Sequence, residues 1–245
     1  MKFAKWFNVT LLAAFCLLVP PVVIADPLVV IGQVDTFTGG SSQGWYTGGG
    51  PGGIPPQPAT VVLGGPAGPS DHFMLLMATG SGGPLSRLAV INSSQWAGNY
   101  LAAGIVAITM DLNNMGQTDL SLRILFEDPM MGPPTNLAFS SVPVFLPAGS
   151  GWTSVIFLIG PQNLTAALGT ADGALMNATT IRLFHNPAAD FPPPAVGAQL
   201  GVDNIRALGA APIPEPVTLL LLGTGLVGVA VKMRRGRRTI SNDKR

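Results

Sequence analysis

The sequence predicts an all-β body, an antiparallel jelly-roll β-sandwich, flanked by an N-terminal signal peptide and a single C-terminal hydrophobic helix. Apolar and polar residues alternate with a period of two, and Gly, Pro or Asn interrupts the pattern about every ten residues. Only two short segments, 99–103 and 164–168, suggest a turn of helix. Many short strands with few helices favour a sandwich over a helical or α/β fold.

The first 25 residues have the three parts of a secretory signal peptide. Lys2 and Lys5 form the positive start, residues 9–24 are apolar, and Ala25 ends the segment before Asp26. Cys16, the only cysteine, lies inside the apolar part. Cleavage between Ala25 and Asp26 therefore leaves a mature chain with no disulfide and no thiol chemistry.

The body, residues 26–211, has the length of one domain. Residues 39–70 are rich in Gly, Pro and Ser and predict long loops around one short strand at 61–63. In the strand predicted at 104–112, Thr109 and Asp111 share one face, and Arg123 points outward from the strand predicted at 120–126. The other predicted strands are 28–34, 73–78, 87–92, 139–144, 153–159, 180–184 and 200–208.

The charge of the body differs from that of the whole chain. The full sequence has a formal net charge of +1. The exported part, 26–213, has four arginines and no lysine against ten carboxylates, which makes it negative by six charges. Because phosphate binding needs a basic face, nucleic acid is excluded as a partner.

The C-terminal residues form three successive segments. The triplet Pro214-Glu215-Pro216 resists helix and strand. Residues 217–231 are an uncharged apolar run of about 15 residues that predicts a helix, just short of the roughly 17 to 25 that span a bilayer. A basic cluster follows, ahead of a polar tail at 239–245, and consists of Lys232, Arg234, Arg235, Arg237 and Arg238. By itself this pattern is also compatible with a plain membrane anchor.

The triplet, the Leu-rich run with glycines and the basic end together resemble the PEP-CTERM sorting signal of Gram-negative, biofilm-forming bacteria. The resemblance covers residues 212–238. It implies an exported precursor that is held transiently in the inner membrane. It further implies processing near the triplet by an exosortase, a membrane transpeptidase-like enzyme, and delivery to the cell surface or extracellular matrix.

A second resemblance covers nearly the whole body. Residues 34–37 (VDTF), 94–96 (SQW), 151–153 (GWT) and 200–205 (LGVDNI) are similar to segments of galactose-binding-like jelly rolls, which include carbohydrate-binding modules. The resemblance implies a structural calcium ion held by Asp35 and Asp203, with Asp71 as a further candidate, since calcium prefers oxygen ligands. The alternative is that Asp35 and Asp203 cap turns.

Sugar binding needs aromatic platforms with polar groups at their rim. Trp45 and Tyr46 lie in a Gly-rich segment, and Trp96 and Tyr100 lie in a polar one, so these four are the predicted platforms. The alternative for all four is packing, the usual role of aromatic side chains in small sandwiches. Trp152 opens a predicted strand and is assigned to the core.

No catalytic constellation is recognisable. Glu127 and Asp128 are adjacent, so on a strand they face opposite sides, and no pair of carboxylates across a cleft stands out. His72 and His185 are the only histidines and are expected at the surface or at a sheet edge. The sequence therefore predicts a non-enzymatic surface or matrix protein that binds exopolysaccharide. A structural matrix protein without a ligand and an uncharacterised hydrolase are the alternatives.

Overall fold

In the computed structural model, the described residues are 29–48, 55–83, 85–129 and 133–210. Their strands alternate apolar and polar side chains, as the sequence predicts. The strands are β1 (Val34–Asp35), β2 (Trp45–Thr47), β3 (Gln57–Pro58), β4 (Thr60–Leu63), β5 (His72–Thr79), β6 (Ala89–Asn92), β7 (Ile105–Asn114), β8 (Leu120–Asp128), β9 (Asn136–Ser140), β10 (Val144–Leu146), β11 (Trp152–Leu158), β12 (Leu164–Leu168), β13 (Thr180–His185) and β14 (Gly197–Gly209).

These strands form two antiparallel sheets that pack face to face. Sheet A has the order β11-β7-β14-β5-β4, with β1 added to β14. Sheet B has the order β12-β9-β8-β13-β6-β2-β3, with β10 added to β8. The chain crosses between the sheets from β5 to β6, from β6 to β7 and from β7 to β8. This crossing is the jelly-roll connectivity, so the predicted fold class is confirmed.

The core lies between the sheets. Sheet A contributes alternate residues of β7, among them Ile108, Met110 and Leu112. Sheet B contributes alternate residues of β8, among them Leu122 and Ile124. Burying one such side chain stabilises the fold by about 1.5 to 3 kcal/mol.

Two local predictions were wrong. Residues 164–168 are not helical, because they pair with β9 as strand β12. Arg123 lies on the outer face of sheet B, as predicted, and is buried there. The predicted strand 28–34 is reduced to β1 where the structure describes it, because residues 31 and 32 form a turn in which Gly32 has a φ of 84°.

One helix was missed, α1 (Ala171–Met176). The Thr170 hydroxyl accepts a hydrogen bond from the Gly173 amide at its N-terminus, as an N-cap residue does. Two 3-10 turns lie at Thr38–Gly40 and Pro161–Asn163. Within the ranges given above, no helix is long and apolar enough to cross a bilayer. The predicted helix 217–231 lies outside those ranges.

Candidate functional site

The outer face of sheet A brings polar side chains of three strands together. On β7, the side chains of Thr109 and Asp111 alternate with core residues and point outward, as predicted. The register sets Asp111 opposite Ser154 of β11 on one side and opposite Asp203 of β14 on the other. Because directly opposed residues share a face, all these side chains lie on the same surface.

Asp111 organises the centre of this surface. The side-chain amide of Asn204 donates to Asp111 Oδ2 at 2.7 Å, and the Ser154 hydroxyl donates to Oδ1. A β-bulge between Asp203 and Arg206, with Asn204 at a φ of 50°, allows Asn204 to make this contact. With both oxygens occupied, the Asp111 carboxylate fixes the orientation of the two neighbouring side chains.

An aromatic pair lies on the same face. The rings of Phe73 and Trp152 meet edge to face, with centroids 5.1 Å apart. They cover Gly201, where a Cβ atom would come within 2.9 Å of the Trp152 ring and 3.1 Å of the Phe73 ring. Phe73 is buried, whereas Trp152 remains partly exposed. The absence of a side chain at position 201 therefore lets the Trp152 ring pack over the backbone of β14.

Asp203 is buried on the same face, directly opposite Asp111. Its Oδ1 accepts a hydrogen bond from the backbone amide of Asn204 at 2.7 Å. Burial, with a smaller contribution from the nearby carboxylates of Asp71 and Asp111, raises the pKa of Asp203 to about 6 despite the opposing effect of that hydrogen bond. Asp71 itself accepts from the Ala67 amide and closes the turn between β4 and β5.

An open groove of about 530 Å³ runs along this surface. Its lining includes two hydroxyl residues, a carboxylate, a side-chain amide and a guanidinium group, together with three apolar residues. The lining residues are Thr109, Met110, Asp111, Ser154, Val155, Ile156, Asn204 and Arg206. We call the groove together with Phe73 and Trp152 the Trp152 face. Polar groups fixed beside a partly open aromatic ring can bind a polyhydroxylated ligand.

Three of the four predicted sugar platforms are wrong, because Trp45, Trp96 and Tyr100 are buried in the core. The indole N–H groups of Trp45 and Trp96 each donate to Asp35 Oδ2 at 2.7 Å. The Tyr100 hydroxyl donates to the Trp96 carbonyl. Tyr46 alone among the four is partly exposed, on the outer face of sheet B, and its role as a platform stays a prediction.

The structure does not bring Asp35 and Asp203, the predicted calcium ligands, together on one side of sheet A. Asp35 pairs with Ile205, a core residue, so it points between the sheets, whereas Asp203 pairs with Asp111 on the outer face. Burial raises the pKa of Asp35, against hydrogen bonds from Trp96, Trp45 and Gln95. Among the described residues, no three His, Cys, Asp or Glu side chains are grouped so that they could hold a metal ion.

The structure does not bring His185 and Glu127 together: His185 lies at one end of β13, and Glu127 is paired with Thr180 at the other end. His185 is buried rather than at the surface; its Nδ1 accepts from the Ser121 amide, and burial lowers its pKa. Glu127 is in an ion pair with Arg182 at 2.9 Å on sheet B.

Sequence patterns alone found part of the Trp152 face. The alternation in β7 identified Thr109 and Asp111 as outward-facing, but Trp152 was assigned to the core. Glycine at 201 was the available signal, because a small residue in a strand often marks the close approach of another group.

The terminal predictions fall outside the described residues. They are the cleavage site Ala25 and Asp26, the triplet Pro214, Glu215 and Pro216, and the cluster Lys232, Arg234, Arg235, Arg237 and Arg238.

Comparison with known sequences identifies the C-terminal segment. Residues 212–235 match the family model of the PEP-CTERM protein-sorting motif, which confirms the predicted sorting signal. The motif indicates an exported, membrane-anchored precursor. No curated protein matches the chain.

Several solved structures are similar to the body. The family 11 carbohydrate-binding module from Clostridium thermocellum, in complex with a β-1,3-1,4-mixed-linked tetrasaccharide, is 15% identical with a TM-score of 0.44, over 74% of this chain and 98% of that one. CsCBM6-3 from Clostridium stercorarium, in complex with cellobiose, is 8% identical with a TM-score of 0.36, over 76% and 100%. A putative sugar binding protein from Bacteroides thetaiotaomicron is 10% identical with a TM-score of 0.37, over 68% and 87%. At these values, the similarities say nothing about the ligand of this chain.

Proposed function

We propose that this protein is a sorted surface or matrix protein whose body binds exopolysaccharide. The sorting motif at residues 212–235 supports export and membrane anchoring of the precursor. An exosortase then processes the precursor near Pro214-Glu215-Pro216, and the body reaches the cell surface or the matrix.

The observation that carries the binding role is the partly exposed residue Trp152 on the same face as a groove lined by polar groups. Sugar rings present an apolar C–H face that stacks on an aromatic ring, while their hydroxyls need donors and acceptors at its rim. Trp152 supplies the ring. Ser154, Asn204 and Arg206 supply hydrogen-bonding groups in fixed or reachable positions.

The proposed role is binding and not catalysis. Glycoside hydrolysis needs one carboxyl group to donate a proton and a second to act as base or nucleophile. On the Trp152 face, both oxygens of Asp111 accept hydrogen bonds from neighbouring side chains. That arrangement favours a positioning role for Asp111.

Retention on immobilised polysaccharides tests the proposal. The protein should be retarded on its host's exopolysaccharide, and Trp152→Ala should abolish the retardation while the melting temperature shows that the fold persists. Phe145→Ala is the matched control, because Phe145 is an exposed aromatic residue on sheet B. It should bind like the wild type.

Three results would count against the proposal. Equal retention of the Trp152→Ala variant would remove the Trp152 face from the proposal. No retention on any polysaccharide, together with ligand-independent self-assembly, would favour the structural matrix protein. Turnover of a glycan by the wild type would favour a hydrolase.

A further inference from the structure

Strand β11 is an open edge of sheet A. It is the last strand in the order of that sheet, and β7 is its hydrogen-bonded neighbour among the described strands. All seven of its residues pair with β7 in unbroken register. The other side of such a strand presents a row of unpaired backbone groups, to which a further strand can add.

The hydrogen bonds to β7 show which backbone groups face the open side. The Ile159 amide donates to the Val106 carbonyl just beyond the end of β11. Hydrogen-bonded positions recur at every second residue of an antiparallel ladder, so residues 153, 155 and 157 also bond to β7. The N–H and C=O groups of the alternate residues point to the open side. These residues are Trp152, Ser154, Ile156 and Leu158.

The other edge strands of the two described sheets have features that hinder pairing. β4 has only four residues, β3 contains Pro58, and β12 is interrupted by a bulge between Ala166 and Leu168. Short, bulged or proline-containing edges protect natural sheets against pairing with other chains. β11 has none of these features, and most of its residues are β-branched or aromatic, which favours pairing.

β11 also lacks charge. No residue from 129 to 171 is charged, whereas the exported part of the chain is negative by six charges. Copies of the body therefore repel one another over much of their surface, but not at this strand. Exposed carboxylates lie beyond its two ends: Asp119, which accepts from the Ala148 amide, and Asp172 on α1. The edge itself thus fits an uncharged strand.

The residues of β11 are complementary to those of a second copy. An antiparallel pair with Val155 on its two-fold axis sets Trp152 opposite Leu158 of the second copy and Ser154 opposite Ile156. These are the residues whose backbone groups are open, so each of their amides meets a carbonyl. Ile156 and Leu158, which are both 52% exposed, gain side-chain neighbours across the pair.

We infer that two copies of this protein associate through antiparallel pairing of their β11 strands, which joins the two sheets A into one. The pair is closed, because the same edge of both copies is used. The inference does not depend on the proposed function, since the contact involves no ligand. The pair should be tighter at high salt, where the carboxylates of the two copies are screened from one another.

Site-specific disulfide crosslinking of the full chain in detergent tests the pairing. Cys16 is replaced by Ser, and Val155→Cys then supplies the only cysteine. At the two-fold axis the Cα atoms of a non-hydrogen-bonded pair are about 4.5 Å apart, and disulfides span about 4.4 to 6.8 Å. Val61→Cys is the matched control, because Val61 is also a partly buried valine on an edge strand. On oxidation, the variant at 155 should form a linked dimer and the variant at 61 should stay monomeric.

Hydrogen exchange of the wild-type chain gives a second readout, with the period of the strand. The amides of residues 152, 154, 156 and 158 should exchange quickly in dilute protein and slowly in concentrated protein, whereas those of 153, 155 and 157 should be protected in both. Ile156→Lys should weaken the dimer about tenfold, because it sets two like charges diagonally across the pair. Met77→Lys makes the same change of charge at a residue that is 60% exposed on the same face, away from β11, and should leave the dimer intact.

Four outcomes would overturn the inference. The wild-type chain could stay monomeric at every concentration, or the variants at 155 and 61 could crosslink equally. A dimer that neither protects the amides of 152, 154, 156 and 158 nor responds to Ile156→Lys would use another surface. Crosslinking of position 155 solely to a different protein of the host envelope would disprove a second copy as the occupant.

Discussion

At the level of single residues, Asp35 connects two strands and a loop of the core. One of its oxygens accepts hydrogen bonds from the indoles of Trp45 and Trp96 and from the amide of Gln95. Burial of a carboxylate is costly unless such donors surround it. Asp35 thus plays a structural part in the interior, which explains why two of the predicted sugar platforms face inward.

Asp35→Ala should therefore destabilise the protein strongly. The substitution leaves two buried indole N–H groups without an acceptor, at a cost on the order of 3 to 5 kcal/mol in the free energy of unfolding. Asp35→Asn should cost less, because its amide oxygen can still accept. Urea unfolding followed by tryptophan fluorescence measures both, with Asp172→Ala, an exposed carboxylate, as the control. Equal stabilities of wild type and Asp35→Ala would contradict this role.

The raised pKa of Asp203 leads us to expect that the stability of the protein depends on pH. Its pKa of about 6 in the folded state lies above the ordinary value of an aspartate, so the folded state binds this proton more tightly than the unfolded state. The contribution of Asp203 to stability is therefore fully present below about pH 4 and is lost as the pH rises through 6. After allowance for screening by solvent, the loss is on the order of 1 kcal/mol.

Asp203→Asn removes this titration and keeps a side-chain oxygen that accepts from the backbone amide of Asn204. The variant should gain stability over the wild type between pH 4 and pH 7, as measured by urea unfolding at both pH values. A stability difference that does not change with pH would refute the assignment to Asp203.

At the level of elements, Arg123 fastens a loop to sheet B. Its guanidinium donates to the carbonyls of Asn186 and Pro187 on that loop and to those of Ser140 and Ser141 at the end of β9. Burial lowers the pKa of Arg123. A planar group with five N–H donors can serve these divergent carbonyls at once, which a lysine ammonium cannot.

Arg123→Lys should loosen this loop and leave the sandwich folded. We expect a loss of about 1 to 3 kcal/mol, since buried carbonyls lose their donors. Hydrogen exchange should rise at residues 186–191 and stay unchanged in β7 and β14. Arg87→Lys, an exposed arginine, is the control. If the loop and sheet A exchanged equally faster, the effect would be global and the fastening role would be wrong.

At the level of the whole molecule, the sorting motif at residues 212–235 indicates an exported, membrane-anchored precursor. Deletion of residues 214–238 should release the body unprocessed into the periplasm or the medium, because the apolar run and the processing triplet are both lost. Deletion of the tail 239–245 should leave surface display intact and serves as the control. Cell fractionation with immunoblotting measures both. Unchanged surface display of the first variant would contradict the sorting role.

Strands and the faces of their side chains were predictable from local sequence patterns. Which distant segments contact each other was not. Alternation in β7 and β8 identified strands and faces, because side chains on a strand alternate between its two sides. The segment 164–168 was mistaken for helix, because five apolar and small residues have no clear period and only β9 makes them a strand. The burial of Trp96 could not be predicted either, since its indole meets Asp35, which is 61 residues away.

By itself, the sequence determined the sorting motif, the acidic cysteine-free body and the all-β class, because each depends on local order or on composition. The tertiary structure alone decided which aromatic residues are buried and that Trp152 is partly exposed. Register placed Gly201 beneath Trp152, the bulge at Asn204 brought its amide to Asp111, and the Asp35 carboxylate drew Trp45 and Trp96 inward. Those outcomes depend on contacts between strands far apart in the chain, and no local pattern specifies such contacts.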